Sequence, residues 1–147
     1  MRALVQRVTR ASVRVEDAEI ARIDKGLLIL LGVRAGETDG AGERLAERCA
    51  TLRIFEDEAG KMNLSVRDIG GAALVVPQFT LYADTSRGRR PGFDAAARPD
   101  EAEPVWRKFC ASLDALGVPA RLGQFGAKMD VELVNHGPAT FLLESAD

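Results

Sequence analysis

The stretch Gly26–Val33 (GLLILLGV) is continuously apolar and edged by glycines, and it constrains the fold more than any other part of the chain. A segment apolar on every side must be covered on every side, and this one is far shorter than the roughly 20 residues that cross a bilayer. Periodicity alone leaves a buried strand and a buried helix both open; the flanking glycines favour the strand. Upstream, Leu4, Val5, Val8, Val13 and Val15 are interleaved with Arg7, Arg10 and Arg14, the pattern of two short strands or one bent strand with a wet face. Residues 18–24 read as a further strand.

From Thr38 the chain offers capping residues, then Ala41, Leu45, Ala46, Cys49 and Leu52 on one helical face. Residues 52–56 return to strand character, and 57–63 read as a turn. Ala72–Val76 and Gln78–Tyr82 form an apolar strand interrupted at Pro77, which has no amide hydrogen for a ladder. Residues 84–99, with Arg87, Arg89 and Arg90 among glycines and prolines, are too polar and too broken to be regular. Asp100 and Glu103 offer a capping pair for a second helix carrying Ala102, Val105, Trp106, Phe109, Cys110, Leu113 and Leu116 and stopping at Gly117. Strands are expected over 118–122 and 127–134, a turn at 135–138, and a last strand over 139–144 that pairs back on its predecessor. The expected architecture is α+β: a mostly antiparallel sheet or open, barrel-like domain with two main helices on one side.

The 147 residues, 46% hydrophobic and 29% charged, match one domain over residues 1–147 and argue against disorder, collagen-like repeats and coiled coil. Twenty basic against 22 acidic side chains leave a net charge of −2, so any contact with nucleic acid is expected to be small and local. Neither a membrane span nor a secretory leader is apparent, and the expected location is cytoplasmic.

Histidine and cysteine supply narrows the chemistry. Cys49 and Cys110 each fall on the apolar side of a helical pattern and read as buried free thiols. His136 is the only histidine, too little for a closed zinc site, and its Asn-His-Gly-Pro setting reads as a solvent-facing turn and not as part of a serine triad. No metal and no cofactor is expected. An enzyme built from this chain works without the usual side-chain base.

Three stretches offer chemistry beside a structural explanation. Pro77-Gln78-Phe79-Thr80-Leu81 could leave backbone amides unpaired, as an oxyanion site requires, or could simply kink an edge strand. Asn135-His136-Gly137-Pro138-Ala139-Thr140 has the composition of a hairpin turn. Gly123-Gln124-Phe125-Gly126-Ala127-Lys128-Met129 places an aromatic ring and a flexible thioether where they could receive a purine or could pack the core.

Together with Gln6-Arg7-Val8 and Lys61-Met62-Asn63-Leu64-Ser65-Val66, these stretches closely resemble the D-aminoacyl-tRNA deacylases, from Met1 to the final strand, in order and without large gaps. The family's middle signature is usually Ser-Gln-Phe-Thr-Leu and its terminal one centres on Gly-Pro-Val-Thr; here they stand as Pro77-Gln78-Phe79-Thr80-Leu81 and Gly137-Pro138-Ala139-Thr140. Related deacylases with relaxed chirality carry proline at the position of Pro77, whereas Phe79 and Arg7 follow the chirally strict pattern.

The resemblance implies a homodimer that hydrolyses the ester joining a D-amino acid, or glycine, to the 3′-terminal adenosine of tRNA. It further implies a cis Gly137-Pro138 peptide inserted into the partner's pocket, where its carbonyls crowd the substrate Cα and reject L-residues. Arg7 would hold that loop. The Phe79 amide would stabilise the oxyanion, Gln78 would order the site, and the ribose 2′-hydroxyl would help activate water. Thr80 belongs to the site without covalent chemistry, since nothing obvious activates its hydroxyl. Phe125 and Met129 are the candidates for the adenine pocket, with Arg87, Arg89, Arg90 and Lys128 available to phosphates. Two other readings compete: a binding module for the tRNA acceptor end that has lost turnover, and a general esterase, against which the lack of a nucleophile-base pair argues.

Overall fold

The computed structural model describes residues 1–38 and 40–145. The rest of the sheet is arranged about one bent strand, β1 (Arg2–Val15). One edge of β1 pairs antiparallel with β3 (Gly26–Gly32) over Arg2–Val8 and with β2 (Ala18–Ile23) over Ala11–Val15, so the single long strand serves two neighbours. A tight turn joins β1 to β2, with Glu16 and Asp17 both at positive φ, the geometry that matches the twist of a hairpin. The other edge of β1 pairs with β8 (Asp130–Glu144) along nearly its whole length.

From β3 the sheet continues in parallel register to β6 (Ala72–Pro77) and β7 (Ala120–Leu122). Parallel neighbours need crossovers. The first contains helix α1 (Ala41–Thr51) and the small hairpin β4 (Phe55–Glu56) and β5 (Met62–Leu64); the second contains helix α2 (Pro99–Ala115). The α+β, barrel-like expectation with two helices is met.

Continuous apolarity in β3 and β6 reflects burial on both faces. Leu27, Ile29 and Leu31, with Ala73 and Val75, join the larger core beneath α1 and α2, where Leu45, Cys49, Trp106, Phe109 and Leu113 are buried. Leu28, Leu74 and Val76 point the other way, into a smaller core with Val8, Val13 and Ile23 inside the curve of the sheet.

Four local expectations need correction. Gln78–Tyr82 is not a continuation of the strand: β6 ends at Pro77, and Phe79–Tyr82 forms a single 3₁₀ turn. Residues 135–138 are not a hairpin turn, and 139–144 does not pair back on 127–134; both belong to β8, which pairs with β1 on either side of His136–Ala139. Between the pairs Gln6↔Thr140 and Val8↔Asn135, the four residues His136–Ala139 oppose Arg7 alone, so the stretch is a bulge larger than the usual two residues against one. α1 is entered from Gly40 in a left-handed conformation without a side-chain cap, and Thr38 contributes only its carbonyl, to the Ala41 amide. α2 begins with Pro99 in its first turn, where a missing amide hydrogen costs nothing; Asp100 and Glu103 do not cap it, and Glu103 pairs instead with Arg107 at 2.9 Å.

Candidate active site

Pro77 and Leu31 are the last pair of the β3–β6 ladder, and the Gln78 amide still donates to the Leu31 carbonyl at 2.8 Å. The chain then leaves the sheet. Within the 3₁₀ turn the Leu81 amide donates to Gln78 and the Ala83 amide to Thr80, at 3.2 and 3.1 Å. A helical turn leaves its first amides without internal acceptors, and among the described residues nothing accepts from the amides of Phe79 or Thr80. The Gln78 side-chain amide donates to the Thr80 hydroxyl, tying the ends of this short segment together.

Beside the turn lies a cavity of about 550 Å³. Gln78 and Phe79 form part of its wall, and apolar sides come from Trp106 of α2, Phe125, Met129 and Val131. Gly123 lets these parts meet: a Cβ there would lie 3.0 Å from the Met129 sulfur and 3.5 Å from Pro77 Cδ. Trp106 and Phe125 pack with ring centroids 5.8 Å apart. Phe79, 57% exposed, stands edge-on to Phe93 at 5.0 Å. Arg98 also reaches the cavity, with a largely exposed side chain 3.8 Å from Asp100.

The β8 bulge is a second, separate element. Arg7 is 5% exposed; its Nε donates to the His136 carbonyl at 2.9 Å and its Nη1 to the Ile54 carbonyl at 2.7 Å. Asn135 braces the base of the bulge, accepting from the Ala139 amide at 2.8 Å and donating to the Thr140 hydroxyl at 2.7 Å. Gly137 sits at φ +132°, where a Cβ would come within 2.7 Å of Arg7 Nη2, so the arginine and the bulge fit only with glycine there. The Gly137-Pro138 peptide is cis, and His136, Gly137 and Pro138 are exposed.

The sequence-derived residues therefore fall into two groups. Pro77, Gln78, Phe79, Phe125 and Met129 line one cavity; Arg7, Gly137 and Pro138 gather at the bulge and are not in that lining. Thr80 is exposed within the turn, and Arg87, Arg89 and Arg90 in their loop and Lys128 are exposed as well. Sequence reasoning gave no site role to Trp106, Phe93 or Arg98, and it named Gly123 and Asn135 only as members of their stretches. Trp106 lies on an apolar helical face and so reads as core, which it also is; Gly123, two residues before Phe125, is the signal for close packing at Met129.

Side-chain nucleophiles are scarce. Burial pushes both cysteine thiols up to about 12, and among the described residues no group of three or more His, Cys, Asp or Glu side chains could hold a metal ion. The available chemistry is a pair of backbone donors beside an apolar cavity, suited to charge developing on an oxygen.

Residues 4–144 match the model of the D-Tyr-tRNA(Tyr) deacylase family. The chain belongs to this family. A D-aminoacyl-tRNA deacylase of Thermomicrobium roseum is 56% identical over 147 residues, covering all of this chain and 96% of that relative. One from Paracoccus denitrificans is likewise 56% identical, covering all of this chain and 99% of the relative. Among solved structures, the c-Myc DNA unwinding element binding protein superposes with a TM-score of 0.94 at 39% identity, each chain covered completely. A probable eukaryotic D-amino acid tRNA deacylase superposes at 0.84 over 97% of both chains; at 17% identity it shows the shared fold. A D-Tyr-tRNA(Tyr) deacylase fold thus places the 3₁₀ turn beside the apolar cavity and the bulge on a different part of the sheet. Among the described residues no helix is long and apolar enough to cross a membrane.

Proposed function

We propose that this protein hydrolyses the ester between a D-amino acid, or glycine, and the 3′-terminal adenosine of tRNA. The observation that carries the reading is the pair of unpartnered amides at Phe79 and Thr80, opening a 3₁₀ turn beside the cavity. Water attacks the ester carbonyl carbon, and the carbonyl oxygen becomes an oxyanion that accepts from the Phe79 amide. Collapse of this intermediate expels the adenosine 3′-oxygen, which leaves protonated, and releases the free amino acid and tRNA. The ribose 2′-hydroxyl helps activate the water, and Gln78 orders the turn. A preorganised donor of this kind is worth about 3 kcal/mol of transition-state stabilisation. Phe125 and Met129 give the adenine an apolar seat, with Trp106 packed behind Phe125.

Selectivity comes from the Gly137-Pro138 bulge of a second copy. That the bulge is exposed and takes no part in lining its own chain's cavity supports a role in the partner's site. Its rigid carbonyls face the substrate Cα, so an L side chain meets them, a D side chain points away, and glycine has nothing to clash. Arg7 holds the bulge by its bond to His136. The dimer acts in the cytoplasm.

Hydrolysis of matched D-tyrosyl-, L-tyrosyl- and glycyl-tRNA by the purified protein with a chelator present tests this. The expected result is rapid loss of the D and glycyl esters with the L ester spared. Turnover of none, with tRNA binding retained, would instead mark a binding module; loss of all three would mark Pro77 as a sign of relaxed chirality.

A further inference from the structure

We infer that Arg2 is a positioning residue for the Phe79 and Thr80 amides, acting through the far end of the 3₁₀ turn. This rests on the deacylase reading above. A single 3₁₀ turn has little stability of its own: its geometry is strained, and few bonds compensate the ordering of its backbone. Where its first amides point depends on how the turn is held at both ends. At the start the Gln78 amide is fixed to Leu31. At the finish the carbonyls have no partner within the turn, and there Arg2 Nη1 donates to the Leu81 carbonyl at 2.7 Å. The same guanidinium lies over the Tyr82 ring, 4.6 Å from its centroid, while Nε stands 3.6 Å from a Glu144 carboxylate oxygen. One side chain thus touches the last two residues of the turn and the end of β8.

The sheet supplies the matching half of the clamp. Arg2 and Gly32 are direct partners across the β1–β3 ladder. A Cβ on Gly32 would lie 3.0 Å from the Gln78 carbonyl oxygen, 3.1 Å from Leu81 Cβ and 3.2 Å from Tyr82 Cδ2, so the turn rests directly on a bare stretch of backbone. Gly32 supports the turn from beneath, and Arg2 draws the Leu81 carbonyl down. Neither residue lines the cavity, so both act on orientation and not on substrate contact. Lysine could supply the charge and one donor but no plane to cover Tyr82.

The test compares wild type, Arg2→Ala, Arg2→Lys and Gly32→Ala on D-tyrosyl-tRNA, with thermal unfolding and amide hydrogen exchange recorded for each. Misaiming without deleting an oxyanion donor is expected to lower kcat by about tenfold in Arg2→Ala, with KM unchanged within about twofold. Arg2→Lys should fall between that variant and wild type. Exchange across Phe79–Tyr82 should be faster in Arg2→Ala than in wild type. Gly32→Ala, which keeps the arginine and lifts the turn, should lower kcat in the same way. A folded Arg2→Ala with kcat within about twofold of wild type would overturn the inference. Should Arg2→Ala not fold, an unchanged kcat in Gly32→Ala would do so. Failure of the deacylase reading looks different: wild type itself would be inactive, while hydrogen exchange would still report whether Arg2 holds the turn.

Discussion

Arg7 is buried, and its two bonds span β1 to the bulge on one side and to Ile54 on the other. Arg7→Ala leaves both carbonyls short of a donor, at a cost of about 1–3 kcal/mol. Its diagnostic effect lies in selectivity: cleavage of L-tyrosyl-tRNA should rise relative to the D ester, and an unchanged ratio of rates would remove the assigned role. The Thr80 hydroxyl accepts a hydrogen bond from the Gln78 side-chain amide, not from an acid or base. Thr80→Ala should keep more than about a tenth of wild-type turnover; complete loss in a folded, tRNA-binding variant would revive a nucleophilic hydroxyl. At this scale Gln78, Phe79, Phe125 and Met129 could be singled out because their motifs resemble those of the family, and the fold brings all four to the wall of one cavity. It could not reveal Arg98 or Phe93, which approach the cavity from an irregular loop whose path no periodicity encodes.

Elements were most legible where burial was one-sided or complete. The alternation in β1, the unbroken apolarity of β3 and the helical stripe of α2 each follow from the surface that the element must hide. Phe109, fully buried between α2 and the sheet, is a direct test: Phe109→Ala should cost about 3–5 kcal/mol, read as a lower denaturant midpoint. The thiols of Cys49 and Cys110 give the pH dependence. Burial holds both protons on in the folded chain up to about 12, against 9.0 for an ordinary exposed thiol, so the unfolded chain releases them first. The stability they protect is present below pH 9 and falls as pH rises through that window. Native protein should accordingly resist a thiol-specific reagent at pH 8, with both sites reacting in denaturant. Elements whose form depends on distant partners were misread. The 3₁₀ turn keeps the apolar residues of a strand, and the bulge keeps the asparagine, glycine and proline of a hairpin, because local composition reports backbone freedom and not which strand lies alongside.

At the scale of the molecule, the proposed selectivity mechanism requires two copies, because the bulge takes no part in lining its own chain's cavity. Light scattering should give about twice the 15.9 kDa chain mass; the mass of one chain would defeat the selectivity mechanism proposed here. The net charge of −2 and four exposed cations, Arg87, Arg89, Arg90 and Lys128, fit binding to only the acceptor end. For four contacts to a single strand, the logarithm of the tRNA association constant should fall with the logarithm of salt concentration at a slope of about −3. The bulge has an effect on the whole architecture as well. Four residues facing one leave β8 with three extra, an odd number, and in a strand an odd insertion exchanges inside for outside. Val131 and Leu133 therefore seal the small core, whereas Phe141 and Leu143, of the same odd numbering, seal the large one. The segment bearing Gly137-Pro138 is a parity switch between the two interiors of the protein. Removing one residue from it would do more than shorten a surface feature: it would turn Phe141 and Leu143 out to water.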